Sequence, residues 1–194
     1  MGGMTYTSIE AEKLTTAEYY GKALHDLGVE HPEVVALTAD LAKSTKISAF
    51  AKEFPDRLIN VGIAEQNMFG IAAGLAKNGF VPFASTFAIF AAARSLDQIH
   101  SDICYQNVPV KILASHAGTS FGQAGSTHHS LIDLAVMRSL PHMTVMCPCD
   151  GAEAYKLVKA AYDIPGPVYI RINRGFDAVV YEGGPDSVDF VWNK

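Results

Sequence analysis

The sequence predicts an α/β fold of three layers, α/β/α, with helices on both faces of a mainly parallel six-stranded sheet. Three observations lead there. Short apolar runs alternate with segments whose apolar residues recur at helical spacing, the pattern of strand–helix–strand units with right-handed crossovers. The chain is 49% apolar and only 18% charged, against roughly 25% charged in an average soluble domain. Either a sheet buried on both faces or a surface covered by a partner accounts for that shortage. Unusual polar residues also collect just after the apolar runs, at what would be strand carboxyl ends, where open α/β sheets bind ligands.

Taken in order, Thr15 and Glu18 have capping-box spacing. Tyr20, Ala23, Leu24 and Leu27 form a helical stripe that Gly28 can end. Val34 to Thr38 reads as a buried strand, and Ile47, Phe50 and Phe54 as a short helix stopped by Pro55. Leu58 to Val61 is a strand end. One glycine later comes a helix whose expected buried face is Ala64, Met68, Ile71, Ala72 and Leu75. Phe80 to Ser85 is a third strand weakened by Pro82, and Phe87 to Tyr105 is mostly helix. Val110 to Ser115 is a strand, followed by the polar loop HAGTSFGQAGSTHHS and a helix from Leu131 to Leu140. Thr144 to Cys147 is a strand, Asp150 and Glu153 can cap a helix through Tyr162, and Val168 to Ile172 is the sixth strand.

A length of 194 residues fits one domain. The expected division is an N-terminal segment 1–14, a domain 15–175 and a tail or linker 176–194; Met1-Gly2-Gly3-Met4 reads as residues added ahead of a native start. A net charge of −5 gives no electrostatic footprint for nucleic acid. No run of 18 apolar residues marks a membrane span. Cys104, Cys147 and Cys149 form no disulfide framework, which points to the cytoplasm. Cys147-Pro148-Cys149 lacks zinc spacing, and the neighbours His128 and His129 point apart on an extended loop, so no protein-built metal site is expected.

Five strand ends carry the candidate chemistry: Asp40 and Ser44; Glu65; Phe87 and Phe90 after Ser85; His116 with His128 and His129; and Arg174. All fall on one edge of a parallel sheet. Glu65 is either a first-turn acid that complements the helix dipole or a partly buried carboxylate held for proton transfer. There is no nucleophile elbow, no dinucleotide fingerprint and no phosphate cradle. The set resembles half of a site.

Val61-Gly62-Ile63-Ala64-Glu65-Gln66-Asn67 resembles the catalytic glutamate segment of the thiamine diphosphate-dependent transketolase family. Ser85-Thr86-Phe87-Ala88-Ile89-Phe90 resembles its aromatic segment. Ala39 to Ser44 resembles another family stretch, as does His116 followed twelve residues later by His128. The similarity runs from about Thr15 to Gly175 and implies the pyrimidine-binding domain of the thiamine diphosphate-binding fold. It implies transfer of a two-carbon ketol unit between sugar phosphates. Thiamine diphosphate, with Mg2+ or another divalent ion, would be held mainly by a diphosphate-binding partner subunit, in a homodimer or heterotetramer. The partner's Gly-Asp-Gly…Asn motif and a third domain are not found in these 194 residues, which suggests a fragment or a truncated second subunit, inactive alone.

The resemblance assigns roles residue by residue. Glu65 would share a proton with the aminopyrimidine ring nitrogen, and Phe87 or Phe90 would stack on that ring rather than merely pack the core. Asp40 falls among the cofactor-binding residues. His116 and His128 would face substrate, with His128 also catalytic. Ser44 and Arg174 would hold a phosphate, unless they are a helix cap and a surface ion pair; His129 is read as structural. Two departures stand out: Ala124 where transketolases carry an acid that reads sugar hydroxyls, and Ala93 in place of a third aromatic. Gly70 and Gly74 leave a smooth helix strip, for an interface or for close packing on the sheet. A deoxyxylulose-phosphate synthase, a 2-oxoacid dehydrogenase β-subunit and a non-catalytic interaction module of the same fold are the alternatives.

Overall fold

The computed structural model describes residues 14–175 and 177–190; Met1 to Met4, expected to be residues added ahead of a native start, lie outside them. Six strands form one all-parallel sheet: β1 (Val34–Thr38), β2 (Leu58–Asn60), β3 (Val81–Phe87), β4 (Lys111–Ser115), β5 (Thr144–Met146) and β6 (Val168–Arg171), in spatial order β2-β1-β3-β4-β6-β5. The central strands β1 and β4 are buried at every residue, as expected of strands covered on both faces.

On one face lie α1 (Thr16–Glu30), α2 (Ser48–Glu53) and α6 (Gly151–Asp163), around Tyr20, Leu24, Phe50, Phe83, Val158 and Ile170. On the other lie α3 (Glu65–Lys77), α5 (Asp133–Arg138) and a helical stretch after β3, around Met68, Phe69, Ile99, Ile103 and Tyr169. That stretch is π-helical over Phe90–Arg94, turns through α4 (Leu96–Gln98) and is π-helical again over Ile99–Cys104. The sequence predicts a mostly helical segment over Phe87 to Tyr105, without these π-helical turns. Such wide turns recur at functional sites.

The capping box at Thr15 and Glu18 forms as predicted. Gly28, however, does not end α1, which runs on to Glu30. Gly28 is buried instead where Phe50 packs, since a Cβ there would sit 2.6 Å from the Phe50 ring. Strand β3 is shifted forward, so Phe87 is its last residue and not part of a helix. Pro82 is tolerated in this central strand because β4 begins to pair with β3 only at Phe83; its missing N–H faces no neighbour there. On α3 the buried set is Glu65, Met68, Phe69, Ala72, Ala73 and Ala76, rotated from the expected face towards Phe69 and Ala73.

Lys111 is wholly buried at the start of β4 and donates to the carbonyls of Ile164 and, at 2.9 Å, Gly166. It thus satisfies acceptors at and just past the C-terminus of α6, and burial pushes its pKa down to about 7. Residues 177–190 lie back against the α1/α6 face. Asp177 accepts from Thr16, Asp150 accepts from the backbone of Val180 and Tyr181 at 2.9 and 2.8 Å, and Val188 is buried. No helix among the described residues is long and apolar enough to cross a membrane.

Candidate active site

Every strand is parallel, so all carboxyl ends share one edge, and the predicted residues sit along it in the order of the strands. At the β2 end Asn60 acts as a bracket. Its Oδ1 accepts from the backbone of Asp40 (3.1 Å) and Gly62 (3.0 Å), and its Nδ2 donates to Asp40 Oδ1 (3.2 Å). Asp40 is exposed, at a φ of 61°, left-handed backbone that Asp tolerates better than most residues. Gly62, at a φ of 73°, lets the chain turn into α3.

Glu65 is the first residue of α3 and its side chain is only 2% exposed. Both its oxygens accept from Arg94 Nη1 at 2.9 Å. Arg94 is half-exposed, and its guanidinium lies 4.0 Å from the Phe90 ring centroid. Sequence reasoning missed Arg94, which no local spacing marks: it ends the π-helical turn that begins at Phe90, which swings it across the sheet edge to α3.

Phe90 stacks on Phe87, with centroids 5.4 Å apart and planes at 28°. Phe87 in turn lies 4.0 Å from the His116 ring, while His128 is edge-on to Phe90 at 5.4 Å. The two histidines expected to face substrate are therefore brought to one aromatic cluster. Its hub is Phe121, a second residue the sequence did not single out. It makes edge contacts with Phe87, His116 and His128, at 5.5, 4.6 and 5.5 Å, and Arg174 lies 5.0 Å over its ring.

His116 is buried at a φ of 60°, with Ser115 Oγ 2.9 Å from Nδ1. Burial first, then the nearby charges of Arg174 and His128, push its pKa down to about 4, so it is neutral at neutral pH. His128 Nδ1 lies 2.9 Å from Thr127 Oγ1, whereas His129 Nε2 donates to the Gly122 carbonyl and braces the loop.

That loop is held by bridges from Ala117 and Gly118 to Ser130, and by Ser120 Oγ accepting from the backbone of Arg174 at 3.1 Å. Beneath it, buried Asp133 accepts from Arg171 Nε (2.9 Å) and Tyr169 (3.0 Å). Ser44 is exposed in the turn after β1, while its neighbour Thr45 is buried and donates to the Leu41 carbonyl. The structure thus gathers Phe87, Phe90, His116, His128 and Arg174, links Glu65 to them through Arg94, and leaves Asp40 and Ser44 at the margin.

The family described as "Transketolase, pyrimidine binding domain" matches residues 12–176. The chain belongs to this family. It is 43% identical over 171 residues to one subunit of the apulose-4-phosphate transketolase of Phocaeicola vulgatus, covering 88% of this chain and 54% of that one. It is 42% identical over 161 residues to the 1-deoxy-D-xylulose-5-phosphate synthase of Dictyoglomus turgidum, covering 83% and 26%. A solved structure described as "split gene transketolase, inactive beta4 tetramer" superposes with a TM-score of 0.81 at 50% identity, covering 92% and 56%. The pyrimidine-binding domain therefore spans about half the length of these transketolase relatives and a quarter of the synthase.

Family membership implies thiamine diphosphate, and the residues present fit its aminopyrimidine end. A buried carboxylate and a stacked aromatic pair share the sheet edge. Thr86, beside Phe87, and Ser130, beside the histidines, keep buried hydroxyls without a partner among the described residues, polar capacity that a ligand or a water can fill. Among the described residues no cluster of three or more His, Cys, Asp or Glu could hold a metal.

Proposed function

We propose that this chain is the pyrimidine-binding part of a thiamine diphosphate-dependent transketolase, transferring a two-carbon ketol unit between sugar phosphates together with a diphosphate-binding partner subunit. The observation that carries the reading is a carboxylate buried at the ligand-binding edge of the sheet, one arginine away from a stacked aromatic pair. When bound, the coenzyme supplies the carbon that stabilises the carbanion. Glu65 exchanges a proton with the ring nitrogen, and Phe87 and Phe90 offer the flat apolar surface, with Asp40 at the rim. His116, held neutral by burial, and His128 exchange hydrogen bonds and protons with sugar oxygens. Arg174 and Ser44 hold the phosphate, Arg174 through its planar donor fork.

Mg2+ or another divalent ion comes with the partner, in a homodimer or heterotetramer. The split-gene neighbour described as an inactive tetramer supports inactivity of this chain alone. Three free cysteines suit the cytoplasm. The similarity to a deoxyxylulose-phosphate synthase favours one second reading, in which pyruvate is the donor. Mixing the chain with a diphosphate-binding transketolase subunit, thiamine diphosphate and Mg2+ separates the two. Turnover of xylulose phosphate with ribose phosphate supports ketol transfer, and turnover of pyruvate with glyceraldehyde phosphate supports the synthase. Turnover of either pair by the isolated chain overturns the two-subunit reading.

A further inference from the structure

We propose that Phe121 is a positioning residue that aims the Arg174 guanidinium and spaces the two imidazoles, and that it thereby selects substrates with an anionic end. The inference rests on the sugar-phosphate reading of the site. Phe121 lies midway along the loop between His116 and His128, at the start of the turn Gly122–Ala124. One ring meets four functional groups on three different segments. It is edge-on to His116 at 4.6 Å (67°), to His128 at 5.5 Å (85°) and to Phe87 at 5.5 Å (80°), and Arg174 lies 5.0 Å from its centroid.

Arg174 is tethered twice by neighbouring residues, its backbone N–H to Ser120 Oγ at 3.1 Å and its side chain over Phe121. Arginine carries several rotatable bonds, so a guanidinium parked on a ring gives up less freedom when an anion arrives. The same ring packs against His116 next to Phe87, the Phe87 and Phe121 centroids lying 4.0 and 4.6 Å from the imidazole and 5.5 Å from each other. The charged or titratable groups that face His116 are Arg174 and His128. Removing the Phe121 ring admits water to the imidazole, and hydration favours its charged form. Ala124 strengthens the case: with no acid at that position to read hydroxyls, recognition shifts to the anionic end.

Two substitutions divide the claim. Phe121→Leu keeps apolar volume but removes the π face, whereas Phe121→Ala removes both. In the full chain labelled at histidine and arginine, NMR follows His116 (assigned with His116→Asn) and the Arg174 Nε–H. The Arg174 ring-current shift is lost in both variants. The His116 midpoint stays near 4 in Phe121→Leu and moves up towards 6.5 in Phe121→Ala.

In the complex with the diphosphate-binding subunit, Phe121→Leu raises KM for ribose phosphate roughly fivefold, the size of a lost cation–π contact. It leaves kcat and the KM for glycolaldehyde, which has no phosphate, within about twofold. Equal losses for both acceptors, or an unchanged Arg174 signal and His116 midpoint in Phe121→Ala, overturn the proposal. If the wild-type complex transfers no ketol unit, the functional reading fails, while the NMR result still decides what Phe121 positions.

Discussion

Glu65 and Arg94 form an asymmetric pair: the carboxylate is almost wholly buried while the guanidinium is 47% exposed. Water screens the arginine, so the pair adds modest stability; leaving the buried carboxylate alone costs more. Arg94→Ala is expected to lower unfolding stability by about 1–2 kcal/mol in urea titrations, and Arg94→Lys by less. No change in the midpoint for Arg94→Ala would show that water already serves Glu65. His116 gives a pH prediction. Unfolded it titrates near 6.5, and folded at about 4. Between those values the unfolded chain binds more protons, so stability is full above pH 6.5 and falls as pH drops towards 4. Unfolding free energies from urea titrations at pH 7 and pH 5 should differ by about 1–2 kcal/mol more in the wild type than in His116→Asn. Equal slopes would contradict the burial of the neutral imidazole. Neither Arg94 nor Phe121 was legible in the sequence, because no local spacing announces them. Each reaches its partners only once β2, β1, β3, β4 and β6 are side by side.

At the scale of elements, sequence periodicity located every strand to within about two residues; for β1 and β4 the reason is that strands buried on both faces read as plain apolar runs. It located helix faces less well. The α3 stripe rotates because small residues such as Ala73 and Ala76 bury as readily as Ile71 and Leu75, and apolar spacing alone cannot rank them. The π-helical turns after β3 have no sequence signature, yet they set where Arg94 points. Packing of α1 gives an element-scale prediction. A Cβ at Gly21 would lie 2.1 Å from the Lys46 carbonyl oxygen, a backbone atom that cannot step aside. Gly21→Ala should therefore destabilise by about 2 kcal/mol, despite the gain in helix propensity of about 1 kcal/mol. A rise in thermal midpoint would mean that α1 and the turn before α2 part without cost. Gly74, by contrast, has open space where a Cβ would go, and Gly70 meets only Asp102, at 3.8 Å. The smooth strip is not packed on the sheet.

At the scale of the whole molecule, the candidate residues are spread along the carboxyl edge of the sheet. A groove of about 640 Å³ lies instead on the outer face, by α1 and lined by Glu18, Lys22, His25 and Lys46. In the two-subunit reading proposed above, the partner would contribute the facing wall. Exposed Ile63, two residues before Glu65, and exposed Leu131, just past the histidine loop, flank the edge, as expected of residues that meet a second wall. The low overall charge was legible from composition, but which surface it served was not, because composition carries no positions. The central claim is that Glu65 governs proton exchange with a coenzyme whose other end the partner holds. The most direct measurement is turnover of the complex with the diphosphate-binding subunit, thiamine diphosphate and Mg2+, comparing wild type with Glu65→Gln. The expected result is at least a roughly 100-fold loss of kcat, with folding and subunit association retained. Glu65→Gln turning over at the wild-type rate would contradict it.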